Sequence, residues 1–432
     1  MNYRWLPAFG VTAVAMALAG CGSGNSSGST SIRLANATLT HPSLDLTVNG
    51  GVGVTADTTD TVSNYASGGS GPVALQINDT GGTTSLSGTV PTLASGAHYL
   101  LVAYESGGAV KTALIGEDVA LPAAGVTLRI YDAAVEAGKL DVYFTTATGA
   151  TACAPGNLTT PVSSFSVLTA PAATAVYPGV GTYTVCVTGG GSKTDLRMTL
   201  PITLTSQTVA TLLLTPASGG SLLNGSLAIQ QGAYTAARNT NTRVRLAAAV
   251  TPGAQVAASS SSGVTINAGT ASPSLDFAYA LVPASDSLNV TVNSASVGAP
   301  AGQLPVGGDV TLLVYGNAAS AKASLLTDDN RVPTDPTATK LRLINGITGS
   351  PGNVTLTANN TPVGINVAPG TESPSSALIP GSTNAIQFAL TSSSGPLTLA
   401  SGSSQFLSPA STYTVLAGGD TTVPSSLTLL IR

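Results

Sequence analysis

The chain has 432 residues and a formal net charge of −4, with 8% charged and 43% hydrophobic residues. So few charges, without a basic surplus, exclude a nucleic-acid-binding footprint. The hydrophobic fraction is too high for a disordered chain. The length exceeds what one hydrophobic core usually serves, so several domains are expected.

The first twenty residues predict a signal sequence. Arg4 precedes an apolar stretch, residues 11–18, which is too short to span a bilayer. The following Leu18-Ala19-Gly20-Cys21 resembles the lipobox of a bacterial lipoprotein. The resemblance implies cleavage before Cys21 and attachment of lipid to that cysteine. The alternative is a plain secretory signal, cut at a nearby small residue.

Localisation follows from this signal. We expect residues 1–20 to be a removed lipoprotein signal peptide, and residues 21–31 to form a flexible Gly/Ser tether. Gly22 follows the cysteine, whereas retention in the inner membrane generally requires Asp at that position. An exported protein anchored by lipid to the cell envelope is expected, at the outer membrane and on its periplasmic or surface face.

A repeat begins directly after the tether. An apolar hexapeptide with arginine at its second position occurs four times, at residues 32–37, 128–133, 244–249 and 341–346. Its arginines, Arg33, Arg129, Arg245 and Arg342, are spaced by 96, 116 and 97 residues. A period of this length indicates one folded module per copy.

Each copy continues with segments that have the character of β-strands. A short extended segment occurs at residues 44–48, 140–144 and 354–357, and is degraded at residues 254–256 of the third copy. Alternating apolar strands follow at residues 73–77, 183–187, 288–292 and 386–390, and late strands at residues 99–104, 209–214, 310–315 and 413–417. This pattern predicts an all-β fold of tandem immunoglobulin-like antiparallel β-sandwich modules, with little helix.

The repeat sets the expected domain boundaries. Module 1 spans residues 32–124, module 2 residues 125–218, module 3 residues 242–326 and module 4 residues 340–432. Linkers are predicted at residues 219–241 and 327–339, which are polar and contain glycine or proline.

The start of the repeat also carries a family resemblance. Its motif R-L-x-N-A at residues 33–37, a following L-D-[LV]-x-V and then Asn49-Gly50 resemble the domain-of-unknown-function family DUF4397. The resemblance is clearest over residues 32–120 and 341–418, moderate in the second copy and weak in the third. It implies β-sandwich modules of exported bacterial proteins, often in tandem behind a lipoprotein signal. Because that family has no established activity, the resemblance assigns no catalytic residue.

Two further cysteines, Cys153 and Cys186, are expected to form a disulfide, because export exposes the pair to an oxidising compartment. Two free thiols or a metal site are the alternatives, although two thiols without a nearby histidine make a poor zinc site. Strand alternation places Cys186 on the face opposite Tyr183, Val185 and Val187. The bridge should therefore hold a loop against the outside of module 2.

Candidate catalytic and metal-binding side chains are sparse. His41 and His98 are the only histidines, and no G-x-S-x-G elbow accompanies them. Asp57, Asp60 and Asp79 fall in predicted turns, and Asp328-Asp329-Asn330 lacks the spacing of an EF-hand calcium loop. We expect no catalytic residue, metal or cofactor, although a carboxylate pair built across modules remains open.

The four arginines recur together with Asp45 and Asp141, which occupy equivalent positions in two modules. We expect a structural role, with arginine pairing to Asp or to a backbone carbonyl at a sandwich edge, worth about 0–1 kcal/mol if exposed. A ligand site repeated in every module is the alternative.

These features favour a non-catalytic lipoprotein of the cell envelope with a structural, adhesion or interaction role. Its expected partners are the membrane, through the lipid anchor, and an envelope protein or glycan. An array of carbohydrate- or polymer-binding modules is the alternative, which exposed rings on one sheet face would favour. An envelope hydrolase is the third, and it would require His41 or a carboxylate pair inside a concave pocket.

Overall fold

The computed structural model describes residues 28–166, 174–349, 352–380 and 385–432. These residues form 38 strands and three short 3-10 helices, Val135–Ala137, Pro155–Asn157 and Ala318–Ser320, so the expected all-β class is confirmed. None of the helices in this part of the chain has the length and apolar character to cross a membrane. Cys21 and the signal sequence lie outside the described residues, and lipidation stays a prediction.

Modules 1 and 2 contain the first twenty strands. Those of module 1 are β1 (Ser29–Ala37), β2 (Ser43–Val48), β3 (Gly51–Thr58), β4 (Thr61–Val62), β5 (Ala66–Gly69), β6 (Gly71–Pro72), β7 (Leu75–Asp79), β8 (Ser85–Thr89), β9 (Thr92–Leu93), β10 (His98–Ser106) and β11 (Ala109–Gly116). Those of module 2 are β12 (Val126–Asp132), β13 (Leu140–Thr145), β14 (Ser163–Phe165), β15 (Thr174–Val176), β16 (Gly181–Gly189), β17 (Leu196–Leu204), β18 (Thr208–Pro216), β19 (Leu223–Ile229) and β20 (Tyr234–Ala237).

Modules 3 and 4 contain the remaining eighteen strands. Those of module 3 are β21 (Asn241–Val250), β22 (Gln255–Ser260), β23 (Thr265–Ala271), β24 (Ser274–Leu275), β25 (Ala280–Pro283), β26 (Leu288–Val292), β27 (Ala295–Val297), β28 (Asp309–Gly316) and β29 (Lys322–Asp328). Those of module 4 are β30 (Thr339–Asn345), β31 (Val354–Ala358), β32 (Thr361–Val367), β33 (Ser376–Leu378), β34 (Ile386–Ser392), β35 (Gly395–Leu397), β36 (Ser404–Gln405), β37 (Ser411–Asp420) and β38 (Val423–Ile431).

The four modules share one sheet topology. In module 1 one sheet has the order β11-β10-β1-β4 and the other β3-β2-β7-β8, and the corresponding strands of the other modules follow the same two orders. Most neighbours are antiparallel, as expected. The arginine-bearing first strand, however, pairs in parallel with the late strand: β1 with β10, β12 with β18, β21 with β28 and β30 with β37.

Each arginine-bearing sheet is buried on both faces. Ile32 and Leu34 point into the core of module 1, whereas Ala35 and Ala37 belong to a second apolar cluster that also contains Tyr131 of module 2. Modules 3 and 4 share an equivalent cluster, formed by Ala247, Ala249, Leu275, Leu313, Leu326, Ile344 and Leu416. Modules therefore pack back to back, 1 with 2 (the first pair) and 3 with 4 (the second pair).

The structure corrects two expectations about the chain between modules. Residues 219–241 are not a linker: β19 and β20 extend the sheet of module 2, with β19 antiparallel to β18. Within module 3, the segment whose sequence motif is degraded at residues 254–256 still forms a strand, because β22 pairs with both β23 and β26. Residues 329–338, hereafter the connector, contain no strand and join β29 to β30.

Candidate functional site

The four repeated arginines lie on the outer faces of their sheets, inside the module interfaces. Arg33, Arg245 and Arg342 are 3–6% exposed. The expected location at an exposed sandwich edge is therefore wrong, because the neighbouring module covers that face. Their burial agrees with the expectation that these arginines serve the fold, because removing one partner of a buried ion pair costs more than breaking a surface pair.

In the second pair the two arginines share two threonines. Arg245 donates from Nε to Thr311 Oγ1 at 3.0 Å and from Nη2 to Thr414 Oγ1 at 2.6 Å. Arg342 donates from Nε to Thr414 Oγ1 at 3.0 Å and from Nη2 to Thr311 Oγ1 at 3.1 Å. Each threonine is the parallel register partner of the arginine in its own module, so the arrangement is pseudo-twofold.

Carboxylates neutralise this pair of guanidinium groups. Arg342 forms ion pairs with Asp328 of module 3 and Glu372 of module 4, and Asp328 Oδ2 lies 3.5 Å from Arg245 Nη2. Tyr279 donates its hydroxyl to Asp328. Burial raises the pKa of Glu372 to about 7, although the Arg342 charge opposes this.

In the first pair, the repeated arginines Arg33 and Arg129 have partners that differ from those of Arg245 and Arg342. Arg33 donates from Nε to Glu117 Oε2 at 2.8 Å and forms an ion pair with the same, fully buried carboxylate. Two more of its N–H groups reach the carbonyls of Ile229 and Gly232 in module 2, each at 2.8 Å. Arg129 donates to the Gly116 carbonyl at 2.7 Å, and burial lowers its pKa.

Asp45 and Asp141 do not pair with the repeated arginines. Asp45 accepts the backbone N–H of Ala56 at 2.8 Å and of Gly81 at 3.2 Å. Asp141 accepts the backbone N–H of Gly191 at 2.7 Å. Both aspartates therefore fix turns of their own modules and are not partners of the repeated arginines. The arginines do pair with Asp or with backbone carbonyls, but with others: Arg342 with Asp328, and Arg33 and Arg129 with carbonyl groups.

The expected disulfide between Cys153 and Cys186 is confirmed. Cys186 lies on β16, where its neighbours Val185 and Val187 point into the core of module 2. Both cysteines belong instead to a small cluster with Tyr143 and Leu158 on the outer face of that sheet. The bridge thus holds the loop around residue 153 against the outside of module 2, as expected.

Each histidine has an aspartate partner in module 1. His41 Nδ1 lies 2.7 Å from Asp79 Oδ1, and His98 Nδ1 lies 3.0 Å from Asp118 Oδ1. His98 also stacks edge-on against Tyr65, with ring centroids 5.4 Å apart. Within the described ranges, neither histidine has a hydrogen bond to a serine hydroxyl, so a triad is not assembled around them.

The oxygens of Asp328-Asp329-Asn330 face protein groups. Asp329 pairs with Arg331 at 2.9 Å and with Lys340 at 3.0 Å, and the Asn330 amide donates to Asp309 at 2.7 Å. The three side chains thus hold the connector against modules 3 and 4. Among residues the structure describes, no cluster of three or more His, Cys, Asp or Glu has metal-site geometry.

Asp57 and Asp60 have structural partners as well. Asp60 accepts hydrogen bonds from Thr215 at 2.5 Å and Asn224 at 2.8 Å, both in module 2. Burial raises its pKa. Asp57 is buried within module 1 and accepts a hydrogen bond from Thr61. Asp60 therefore belongs to the interface of the first pair, which turn signals in the sequence do not reveal.

A cavity of about 410 Å³ lies where modules 1, 2 and 4 meet the connector. We call it the connector cavity; its charged and hydroxyl-bearing walls include His41, Glu105, Glu136, Arg331, Lys340 and Ser375. Glu105 accepts hydrogen bonds from Thr40, through the backbone N–H at 2.8 Å and the hydroxyl at 2.5 Å. Of the residues that line this cavity, sequence reasoning singled out His41 and Asp329.

Two carboxyl groups of the connector cavity have opposite electrostatic environments. Glu136 is 9% exposed, its Oε1 has no hydrogen-bond partner, and burial raises its pKa. Burial by itself would also raise the pKa of Asp329. The hydrogen bond from Arg331 and the charge of Lys340 outweigh the effect of burial and lower the pKa of Asp329 to about 2. The cavity therefore combines one carboxyl group whose pKa is raised with one whose pKa is lowered.

A second cavity of about 290 Å³ lies at the junction of modules 2, 3 and 4. We call it the arginine cavity, because Arg197, Arg243, Arg245 and Arg432 line it. Arg243 lies two residues before Arg245 on β21, hence on the same face of the strand. That spacing was the available sequence signal for Arg243, and the repeat analysis overlooked it because Arg243 occurs in only one module.

Comparison with protein families confirms the resemblance of the first module. Residues 30–143 match the family described as "Domain of unknown function (DUF4397)". The match covers module 1 and the first two strands of module 2. No curated protein matches the chain.

Two solved structures show weak overall similarity. One is described as a "putative cell adhesion protein" from Bacteroides uniformis ATCC 8492, with a TM-score of 0.21 and 10% identity, covering 49% of this chain and 98% of that chain. The other is SpuA, a multi-modular glycogen-degrading pneumococcal virulence factor, with a TM-score of 0.15 and 10% identity, covering 87% of this chain and 38% of that chain. Neither likeness assigns a function to this chain.

Proposed function

We propose that this chain is a non-catalytic lipoprotein of the bacterial cell envelope, displayed from the outer membrane in an adhesion or interaction role. Cys21 would carry the lipid, and residues 22–27 would lead to β1, which begins at Ser29. The modules would then present their free surfaces to an envelope protein or glycan.

The observation that carries this proposal is the buried arginine network within each pair. Arg33 donates to the carbonyls of Ile229 and Gly232 in module 2, and Arg342 of module 4 forms an ion pair with Asp328 of module 3. Charge-assisted hydrogen bonds of this kind have narrow geometric tolerance, so they fix the orientation of one module relative to its neighbour. A fixed orientation suits a protein that holds binding surfaces at a set distance from a membrane.

Metabolic labelling with a fatty acid tests the anchor. In the host cell, the wild-type chain should take up label, and Cys21→Ser should lose it. Cys153→Ser is the matched control and should retain the label, because that cysteine lies in a disulfide far along the chain. A labelled Cys21→Ser protein would refute the lipidation site.

Protease treatment of intact cells tests the display. A chain on the cell surface should be cleaved before the cells are permeabilised, whereas a periplasmic chain should be cleaved only afterwards. Recovery of the protein in the inner-membrane fraction would contradict the proposed location in either case.

An envelope hydrolase is the second candidate function, and the connector cavity is the observation that favours it. Burial raises the pKa of Glu136 there, and His41 and Glu105 line the same cavity. A protonated carboxyl group can act as a general acid beside an ionised one. In this alternative Glu136 would protonate a leaving group.

Hydrolysis assays on envelope polysaccharides and peptides separate the two functions. Under the hydrolase alternative, activity present in the wild type should fall at least about 100-fold in Glu136→Gln. Glu105→Gln and His41→Ala, both at half-buried residues, would show whether the neighbouring groups take part. Equal turnover by wild type and all three variants would exclude the connector cavity as its source.

A further inference from the structure

The wall of the arginine cavity carries a concentration of positive charge that the fold does not fully use. Four of the chain's 15 basic residues line it, and no acidic side chain does. The carboxylates nearest to these arginines, Asp195, Asp309 and Asp328, are not part of the cavity wall.

Arg243 has few partners for its side chain within the fold. The residue is 7% exposed, its side chain makes no hydrogen bond, and its Nε and Nη1 atoms are buried without a hydrogen-bond partner. The nearest carboxylate oxygens lie 3.5 Å away in Asp309 and 3.7 Å away in Asp195, too far for hydrogen bonds of good geometry. A buried donor without a partner costs roughly 1–3 kcal/mol in stability, and a bound anion would offset that cost.

Arg197 repeats this pattern from the opposite module. Its Nη1 and Nη2 atoms bind the Ser221 carbonyl at 3.1 Å and Asp195 at 2.7 Å, but its Nε is buried without a partner. Two guanidinium groups from different modules therefore line one cavity, and each has a buried N–H donor without a hydrogen-bond partner. Arginine forks bind carboxylate and phosphate oxygens by paired hydrogen bonds.

Aromatic rings complete the site. Tyr279 holds Arg243 and Arg245 over its face, with guanidinium carbons 4.4 and 4.7 Å from the ring centroid. Phe277 belongs to the same wall and is 81% exposed. An exposed ring beside fixed cations suits a ligand that has both an apolar face and a negative group, as a sugar acid does.

We propose that the arginine cavity binds an acidic sugar unit of an envelope polysaccharide, with its anionic group on Arg243 and Arg197 and its ring against Phe277. At about 290 Å³ the cavity has room for one sugar unit rather than a whole oligosaccharide. The inference rests on the proposed interaction role and names the chemical class of its partner.

Calorimetric titration of the purified chain lacking its signal tests the site. The probes are a galacturonate tetramer, a neutral galactose tetramer of the same length, and inorganic phosphate alone. The acidic tetramer should bind with an affinity that falls as salt rises, and the neutral tetramer should not bind. Equal binding of both tetramers, or binding of phosphate without the acidic tetramer, would overturn the proposal.

Variants locate the binding. Arg243→Gln should weaken the acidic tetramer about 10-fold or more, and exposed Arg432→Gln should weaken it without risk to the fold. Phe277→Ala should weaken the tetramer but not phosphate. Arg238→Gln and Phe406→Ala remove an arginine 65% exposed and a phenylalanine 68% exposed, both outside the cavity wall, and should bind like wild type.

Unchanged affinity in Arg243→Gln, Arg432→Gln and Phe277→Ala would overturn the proposal even if the acidic tetramer binds. This outcome is independent of fatty-acid labelling at Cys21. A labelled protein without acidic-sugar binding would leave the envelope role intact and remove only this ligand. A protein that binds the sugar but takes up no label would support this ligand and contradict lipidation at Cys21.

Discussion

Arg245 and Arg342, which lie in different modules, donate to the same two hydroxyl groups, those of Thr311 and Thr414. Each arginine thus bonds one threonine of its own module and one of its neighbour. Asp328 contacts both guanidinium groups, at 3.5 Å from Arg245 and in an ion pair with Arg342. A repeated sequence element has become the contact by which two copies of the module recognise each other.

Removing one member of this network should be costly. In Arg342→Met, Asp328 and Glu372 would lose their principal partner inside the interface, which typically costs about 3–5 kcal/mol. Urea unfolding at pH 7 should show this loss. The control Arg238→Met, at a site 65% exposed, should change the free energy of unfolding by less than about 0.5 kcal/mol. A loss below 1 kcal/mol for Arg342→Met would contradict a buried, paired arginine.

The chain should become less stable as the pH rises from about 4 to 7. Burial raises the pKa of Asp57 and of Asp132 to about 7, whereas in the unfolded chain each returns to about 4. Between these values the folded state binds more protons than the unfolded state, so the free energy of unfolding decreases with rising pH. Urea midpoints measured at half-unit intervals should fall across this window. A rising midpoint would disprove the assignment.

Asp132→Asn should stabilise the protein near pH 8. Modules 1 and 4 have Asn36 and Asn345 at this place, and each amide donates to a backbone carbonyl of its own module. An aspartate can donate there only when protonated, so the amide removes a buried charge. The gain should be on the order of 1–4 kcal/mol, at about 1.4 kcal/mol per pKa unit, and the pH profile should flatten. The exposed Asp335→Asn should not flatten it.

Loss of the disulfide should weaken module 2 locally. Cys153 and Cys186 are 33 residues apart, so their cross-link contributes about 3–4 kcal/mol in the chain-entropy model. In the double variant Cys153→Ala/Cys186→Ala, amide hydrogen exchange should accelerate on β16 and β17. Protection on β28 and β37 of the second pair should be unchanged, and uniform acceleration throughout the chain would count against a local effect.

The corrected end of module 2, which includes β19 and β20, predicts which fragments fold. A fragment of residues 28–238 retains β19 and β20 and should unfold cooperatively. A fragment of residues 28–218 leaves the edge of β18 unpaired and uncovers Leu214, which lies in the core of module 2. It should aggregate or give a broad unfolding transition. Equal cooperativity of the two fragments would restore the original boundary.

The strands with one apolar and one polar face were predictable, because their buried and exposed residues alternate. Leu288–Val292, for example, alternates between buried and less buried residues along its length, as β26 does in the structure. The parallel pairing of first and late strands was not predictable from alternation, which is the same for either direction. Glycine and polar residues at 219–241 predict a linker, and this prediction is wrong. Leu223 and Leu227 of β19 pack in the core of module 2, so the segment belongs to that module.

The candidate sites were harder to predict, because they lie between modules. Glu136 belongs to module 2 and Lys340 to module 4, and only the packing of the connector brings them to one cavity. Only part of the role of the repeated arginines was predictable from the sequence, where their repetition indicated a structural function. Their burial depended on a partner module that no local pattern specifies.

The spacing of the repeated arginines reflects the pairing of modules. Arg33 and Arg129 are 96 residues apart and Arg245 and Arg342 are 97 apart, but Arg129 and Arg245 are separated by 116. A single inserted module would leave the outer face that carries Ala247 and Leu313 without a cover, whereas two inserted together would cover each other. Adding or removing modules two at a time would therefore keep every outer face covered. On this argument a pair of modules, rather than one sandwich, is the unit by which such a chain would lengthen.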